Sequence, residues 1–163
     1  MGNPGRNVLV RMLDKTEKVK DDKSWFAAFA ELQKAGVNVV WQLDSGADFK
    51  DSTTNVTQLD SAGLGLPDRD YYLDDDAKKK SVREAYLAYV EQQLTLIGEK
   101  PAAAKKEAAQ VIELETRLAK KSQTKVERRD PNSQYNRLDR AGLQKDAGHF
   151  PAAVYFEAVG AQD

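Results

Sequence analysis

Gly63-Leu64-Gly65-Leu66-Pro67-Asp68-Arg69-Asp70-Tyr71-Tyr72 is a stretch that neither a helical nor a strand period explains. Gly63 and Gly65 permit a positive φ or a close backbone approach. Pro67 fixes its own φ and pushes Leu66 out of the helical region, and Asp68 is placed to cap a turn that begins at Arg69. Tyr71 and Tyr72 bring large apolar faces whose hydroxyls need partners. Arg69 lies between Asp68 and Asp70 in sequence, and its planar guanidinium is read as a brace for backbone carbonyls or for an acid. The stretch is read as an architectural loop. No residue in the chain is assigned to catalysis, to a metal or to substrate binding.

Working outward, the spacing predicts a mainly α chain with an antiparallel helix pair and a small β-hairpin. Upstream, Ser24 reads as an N-cap, followed by Trp25, Ala28, Phe29 and Leu32 at helical spacing, with Gly36 just past the end. Val37, Val39, Trp41 and Leu43 then alternate with Asn38, Val40, Gln42 and Asp44, the period of a strand with one buried face. Asp44-Ser45-Gly46-Ala47-Asp48 reads as a turn, and Asn55 to Leu59 as the returning strand. Downstream, Asp74, Asp75 and Asp76 mark a helix start by their charge. Val82, Ala85, Tyr86, Tyr89, Val90 and Ile97 continue that helix to Gly98. Pro101 opens the next, with Ala104, Ala108, Val111, Ile112, Glu115 and Leu118 tracing one face. Asp130-Pro131 and Gly148 punctuate the rest, leaving room for short helices near Leu138 to Lys145 and Ala152 to Val159.

The 163 residues are enough for one domain with a core, and 25 basic against 26 acidic side chains give no field to attract nucleic acid. No run approaches the roughly 18 apolar residues of a membrane span. No signal peptide is visible at Met1 to Arg6, and with no cysteine the chain has neither disulfides nor thiolate metal sites. Residues 1–23 read as a lead-in with room for disorder, and residues 24–163 as the folded region, of the size of one domain.

Other candidate sites have plainer explanations. His149, the only histidine, sits in a loop with no nucleophile or acid at a recognisable spacing, and reads as a surface or capping residue. Asp74 to Asp76 lack the alternating acids and central glycine of a calcium loop. Lys120, Lys121, Lys125, Arg128 and Arg129 are interleaved with Glu127 and Asp130 and contain no aromatic for stacking, so they read as a solvated helix end. Asn55-Val56-Thr57 has the form of a glycosylation acceptor, relevant only in a eukaryotic secretory setting. Phosphate-cradling and nucleophile-elbow motifs are absent.

The signature loop resembles the Gly-Leu-Gly-Leu-Pro-(Asp/Ser)-Arg-Asp-Tyr-Tyr segment of the neprilysin and endothelin-converting-enzyme family of zinc metallopeptidases. Leu32 to Val37, Lys50 to Thr53 and Gln58 to Asp60 resemble that family's approach to the motif. Leu114-Glu115-Thr116-Arg117-Leu118-Ala119 and Arg128-Arg129-Asp130-Pro131 follow in the family's order. The resemblance implies that residues 24–163 are an N-terminal, mostly helical part of a larger peptidase, a partial domain. It also implies zinc in the full-length parent, peptide substrates, and an extracytoplasmic setting for many members. The family's zinc motif, His-Glu-x-x-His with a later Glu, has no counterpart here, so the chain by itself is expected to hold no cofactor and to be inactive. Its expected partner is the C-terminal catalytic region. As a segment cut from a larger enzyme it is expected to leave apolar surface bare and to self-associate, with Trp25, Phe26, Phe29, Tyr155 and Phe156 unable all to face inward. The alternative is a stand-alone helical binding or scaffold module that has lost the chemistry.

Overall fold

A computed structural model describes residues 12–14 and 16–161 of the chain. Most of the expected lead-in lies outside the described residues. The fold is mainly α with one two-stranded antiparallel sheet, as the spacing predicts. The chain divides into two compact units, one made of the residues up to Ala62 together with those from Pro131 onward, the other of Gly63–Asp130.

In the first unit, helix α1 (Asp22–Lys34) starts on a reciprocal cap. The Asp21 carboxylate accepts the Ser24 N–H at 2.7 Å, and the Ser24 hydroxyl accepts the Asp21 N–H at 3.0 Å. The cap is therefore Asp21, and Ser24 sits three residues inside rather than at the boundary. Gly36 closes the other end at φ 84, where only glycine is unstrained, with Gly36 N–H on Gln33 O and Val37 N–H on Leu32 O.

That closure uses Val37, so the strand does not begin there as the alternation suggested. Strand β1 runs Trp41–Asp48 and β2 runs Asp51–Ser61, in a register that pairs Trp41 with Ser61 and Leu43 with Leu59. The run Asp44 to Asp48 is thus strand, not turn, and β2 is longer than the expected Asn55 to Leu59. A solvated ribbon and a loop have the same polar composition, so the reversal falls instead at Phe49-Lys50. There Asp48 Oδ1 accepts the Lys50 N–H at 2.8 Å. The second Asp48 oxygen accepts from Tyr135 Oη at 3.1 Å and Arg137 Nη1 at 2.8 Å. These donors follow the short helix α5 (Pro131–Gln134). The Lys50 N–H, then Tyr135 and Arg137, hold this buried carboxyl below its ordinary value of 3.8 against the opposing effect of burial.

Helices α6 (Arg140–Asp146) and α7 (Ala152–Val159) complete this unit close to their expected places. Its core is Phe29, Ala30, Phe150, Ala152, Tyr155 and Phe156, with Trp41 packed edge-on to Phe29 at 4.6 Å. Tyr155 is fully buried and Phe156 is 7% exposed, which corrects the expectation that this pair leaves bare surface. Burial is possible because the Tyr155 hydroxyl is satisfied, accepting from Trp41 Nε1 at 2.8 Å and donating to Gln33 Oε1. Of the α1 aromatics, Phe29 is buried and Phe26 partly so, while Trp25 stays 37% exposed and stacks on Phe29.

The second unit holds the short helix α2 (Asp70–Leu73) and the pair α3 (Ala77–Ile97) and α4 (Pro101–Lys121), followed by a 3-10 turn, Glu127–Arg129. Asp76 caps α3 by accepting the Lys79 N–H at 2.9 Å, and Gly98 leaves it at φ 122. Pro101 supplies the first turn of α4, where its missing N–H costs nothing. Ala104, Ala108 and Ala119 are fully buried on α4, and small side chains of this kind let the neighbouring helix approach closely. No helix among the described residues is long and apolar enough to cross a membrane.

Candidate functional site

The signature loop is held in the second unit by a carboxylate clasped between two phenols. Gly63 has φ 84, so its glycine answers a backbone requirement. Gly65 answers a different one, since a Cβ there would overlap the Tyr86 hydroxyl. Leu66 turns inward and is 8% exposed, and its N–H donates to Tyr72 Oη at 2.8 Å. The Tyr72 hydroxyl donates in turn to Glu115 Oε2 at 2.5 Å, and the Tyr86 hydroxyl donates to Glu115 Oε1 at 3.0 Å. Glu115 is 9% exposed and lies on α4 four residues before Ala119, which packs with Leu66 and Tyr72.

Burial pushes both phenols up, and the Glu115 carboxylate pushes them further, because a tyrosinate beside it would be a second negative charge in poorly solvated surroundings. Tyr86 is pushed up to about 12, and Tyr72 higher still. Each carboxylate oxygen of Glu115 is thus committed to a hydroxyl that keeps its proton. The arrangement ties loop 63–72 to α3 and α4 and offers no free base.

The rest of the signature is fixed by charge. Asp68 Oδ1 accepts the Asp70 N–H at 2.8 Å, so this carboxylate does start the turn, and Lys125 pairs with its other oxygen at 2.8 Å. Burial works against the Asp68 anion, but these partners prevail and keep its carboxyl below its ordinary value. The carbonyls of Tyr71 and Asp74 are braced by Arg83, through Nη1 at 2.8 and 2.6 Å, not by Arg69. Arg69 Nε is buried and has no hydrogen-bond partner among the described residues.

The remaining candidates stand apart from this cluster. Asp74 and Asp76 both pair with Lys79, and Asp75 pairs with Arg83 at 3.5 Å, which explains the three acids as a charge-paired helix start. His149 is exposed in the turn after α6, and Asn55 is exposed on β2. The described residues include no group of three or more His, Asp or Glu side chains placed to hold a metal ion. With one histidine in the chain, the residues present do not fit a catalytic zinc.

Sequence reasoning placed Glu115 on the same face of α4 as Ala104, Ala108 and Leu118 but gave it no task. The available signal was one acid on an otherwise apolar stripe, since a buried carboxylate requires donors. Its partners lie 29 and 43 residues away, and no local pattern names them.

Comparison with known proteins settles the lineage. The family model described as Peptidase family M13 matches residues 3–163, in its N-terminal region. The chain belongs to peptidase family M13. It is 39% identical over 99 residues to human endothelin-converting enzyme 1, covering 60% of this chain and 13% of that one. Against mouse membrane metallo-endopeptidase-like 1 the identity is 34% over 107 residues, covering 62% and 14%. The crystal structure of the Mycobacterium tuberculosis zinc metalloprotease Zmp1, in complex with inhibitor, superposes with a TM-score of 0.88 at 30% identity. That match covers 94% of this chain and 23% of Zmp1. The chain therefore spans a small part of the length of the M13 proteins it matches, and the neprilysin-like resemblance of its signature is borne out.

Proposed function

We propose that this chain is a non-catalytic structural segment of an M13 zinc metalloendopeptidase, contributing scaffold and wall to the chamber in which peptides are cleaved. The observation that carries this reading is the superposition of nearly the whole chain on less than a quarter of a zinc metalloprotease. The chemistry of the signature cluster supports it, because both Glu115 oxygens are engaged by tyrosine hydroxyls and Asp68 is engaged by Lys125. Tyr89, Leu96 and Leu114 on α3 and α4 are each more than half exposed, as befits helices that further parts of a larger protein would cover.

On this reading the zinc, its general base and the peptide-binding groups belong to the remainder of the protein, and so do the chain's partners. Bound there, zinc would polarise the scissile carbonyl and supply an activated water. The residues of this chain would keep the helical wall and loop 63–72 in place. The test is complementation. The chain and the remainder of the M13 protein, produced together, are expected to cleave a quenched peptide in a chelator-sensitive manner, with neither part active alone. Cleavage by the chain alone would overturn the reading, as would full activity of the remainder without it.

A further inference from the structure

The first unit carries a hollow that takes no part in the signature cluster. It encloses about 660 Å³, within the size range of ligand-binding cavities, and its wall is aromatic. Trp25 and Phe26 come from α1, Trp41 from the start of β1, and Phe150 from the turn before α7. Their rings form one connected set. Phe26 meets Trp25 edge-on at 4.7 Å and stacks on Trp41 at 6.1 Å, and Phe150 stands edge-on to Trp41 at 5.3 Å. The Trp41 indole N–H donates to Tyr155 Oη at 2.8 Å, so Trp41 turns no free donor to the hollow. The charge on the rim has one sign. Asp22, in the first turn of α1, and Asp60, near the end of β2, both line the hollow, and among the described residues no lysine or arginine does. Asp60 is oriented there by the Ser61 N–H, which donates to its Oδ1 at 2.7 Å.

We propose that this hollow receives the side chain of an arginine or lysine carried by the remainder of the M13 protein. The aliphatic stem lies along the apolar wall and the cationic head meets the ring faces and the rim carboxylates. A cation is the matching group because aromatic faces attract it through their quadrupole and the two acids add charge of the opposite sign. An incoming carboxylate would face two like charges, and an apolar side chain would gain nothing from the acids. The occupant is placed in the remainder because Trp25, Asp22 and Asp60 leave the hollow open to solvent, while the chain covers only 23% of the Zmp1 protein it superposes on. This inference rests on the reading of the chain as a segment of a larger peptidase, and it names one contact between the two parts.

Trp25 and Trp41 are the chain's two tryptophans and both line the hollow, so intrinsic fluorescence reports on it directly. The 163-residue chain is titrated with a blocked leucine-arginine-leucine peptide and with its citrulline counterpart, which keeps the stem and shape but carries no charge. The arginine peptide is expected to bind about tenfold more tightly. Asp22→Asn, which leaves the Asp21–Ser24 cap in place, is expected to remove most of that difference. Equal binding of the two peptides, or no saturable response to either, would overturn the proposal. In the complete M13 protein, the photo-crosslinking residue p-benzoylphenylalanine substituted at Trp25 is expected to capture a stretch of the remainder that holds an arginine or lysine. No capture, capture within residues 1–163 alone, or capture of a stretch without a basic residue would overturn it too. Each of these failures leaves the peptidase reading standing, whereas failure of the complementation assay above removes that reading and the occupant together.

Discussion

Replacing Tyr72 by Phe removes one oxygen and keeps the ring that fills the core, so the change isolates the hydrogen bonds of the clamp. That oxygen accepts the Leu66 N–H at 2.8 Å and donates to Glu115 at 2.5 Å. Without it the Leu66 amide is buried with no acceptor, at a cost of about 1–3 kcal/mol. Glu115 also loses one of its two phenol donors, and a hydrogen bond to a charged group contributes about 1.5–3 kcal/mol. Both losses pass through one atom and are not additive, so about 3 kcal/mol is expected rather than the full sum. For a chain of this size 1 kcal/mol moves the unfolding midpoint by about 2–4 °C, which gives a fall of roughly 6–12 °C by calorimetry. Tyr89→Phe is the control, because Tyr89 is 56% exposed and surface changes stay within about 0.5 kcal/mol. A Tyr72→Phe midpoint no lower than that of Tyr89→Phe would refute the reasoning, since the clamp would then add nothing to ring packing.

Gly65→Ala forces a methyl group onto the Tyr86 hydroxyl and is expected to destabilise the fold by about 1–3 kcal/mol. In the same variant the Tyr86 phenol, displaced from Glu115, should titrate nearer its ordinary value, which tyrosinate absorbance would show. In the parent chain Tyr86 keeps its proton up to about 12, whereas the unfolded chain loses it near 10.0. Its contribution to stability is therefore complete below pH 10.0 and is lost as pH rises towards 12, a fall in unfolding midpoint that Tyr86→Phe should reduce. Asp48 has the opposite sign. Its depressed carboxyl contributes above pH 3.8 and ceases to as pH falls below that value. Amide protection at Phe49 and Lys50 should accordingly drop in acid, and in Asp48→Asn should already be low at neutral pH.

Features set by neighbours in sequence were the legible ones. Asp76, Gly98 and Pro101 define the ends of α3 and α4 through groups within one turn, and the helix pair emerged where the spacing put it. Even the misplaced cap of α1 was a local error, because Asp21 and Ser24 cap reciprocally and either could be taken as the boundary. The hairpin was harder. Its polar strand reads like a loop, and the true turn depends on Asp48, whose carboxylate is completed by Tyr135 and Arg137, 87 and 89 residues later. The same distance problem hid the site. The two signature glycines were recognisable as special, but the reason for Gly65 is the hydroxyl of Tyr86 on another helix. Arg69 looked like the brace because it sits inside the motif, while the bracing arginine is Arg83, a turn and a half into α3. The pair Tyr155-Phe156 read as unable to face inward together, but α7 is packed by both α1 and α6, and Trp41 and Gln33 supply partners for the hydroxyl.

On the proposed function, this chain is an M13 segment whose metal chemistry resides elsewhere in the protein. The most direct test is the zinc content of the isolated 163-residue chain, by elemental analysis after dialysis against zinc-free buffer. A single exposed histidine and a buried Glu115 whose oxygens are both engaged cannot supply the three ligands of a catalytic site, so well under about 0.1 zinc per chain is expected. One tightly held zinc per chain would contradict the account, because a metal site would then exist among residues it assigns to scaffold.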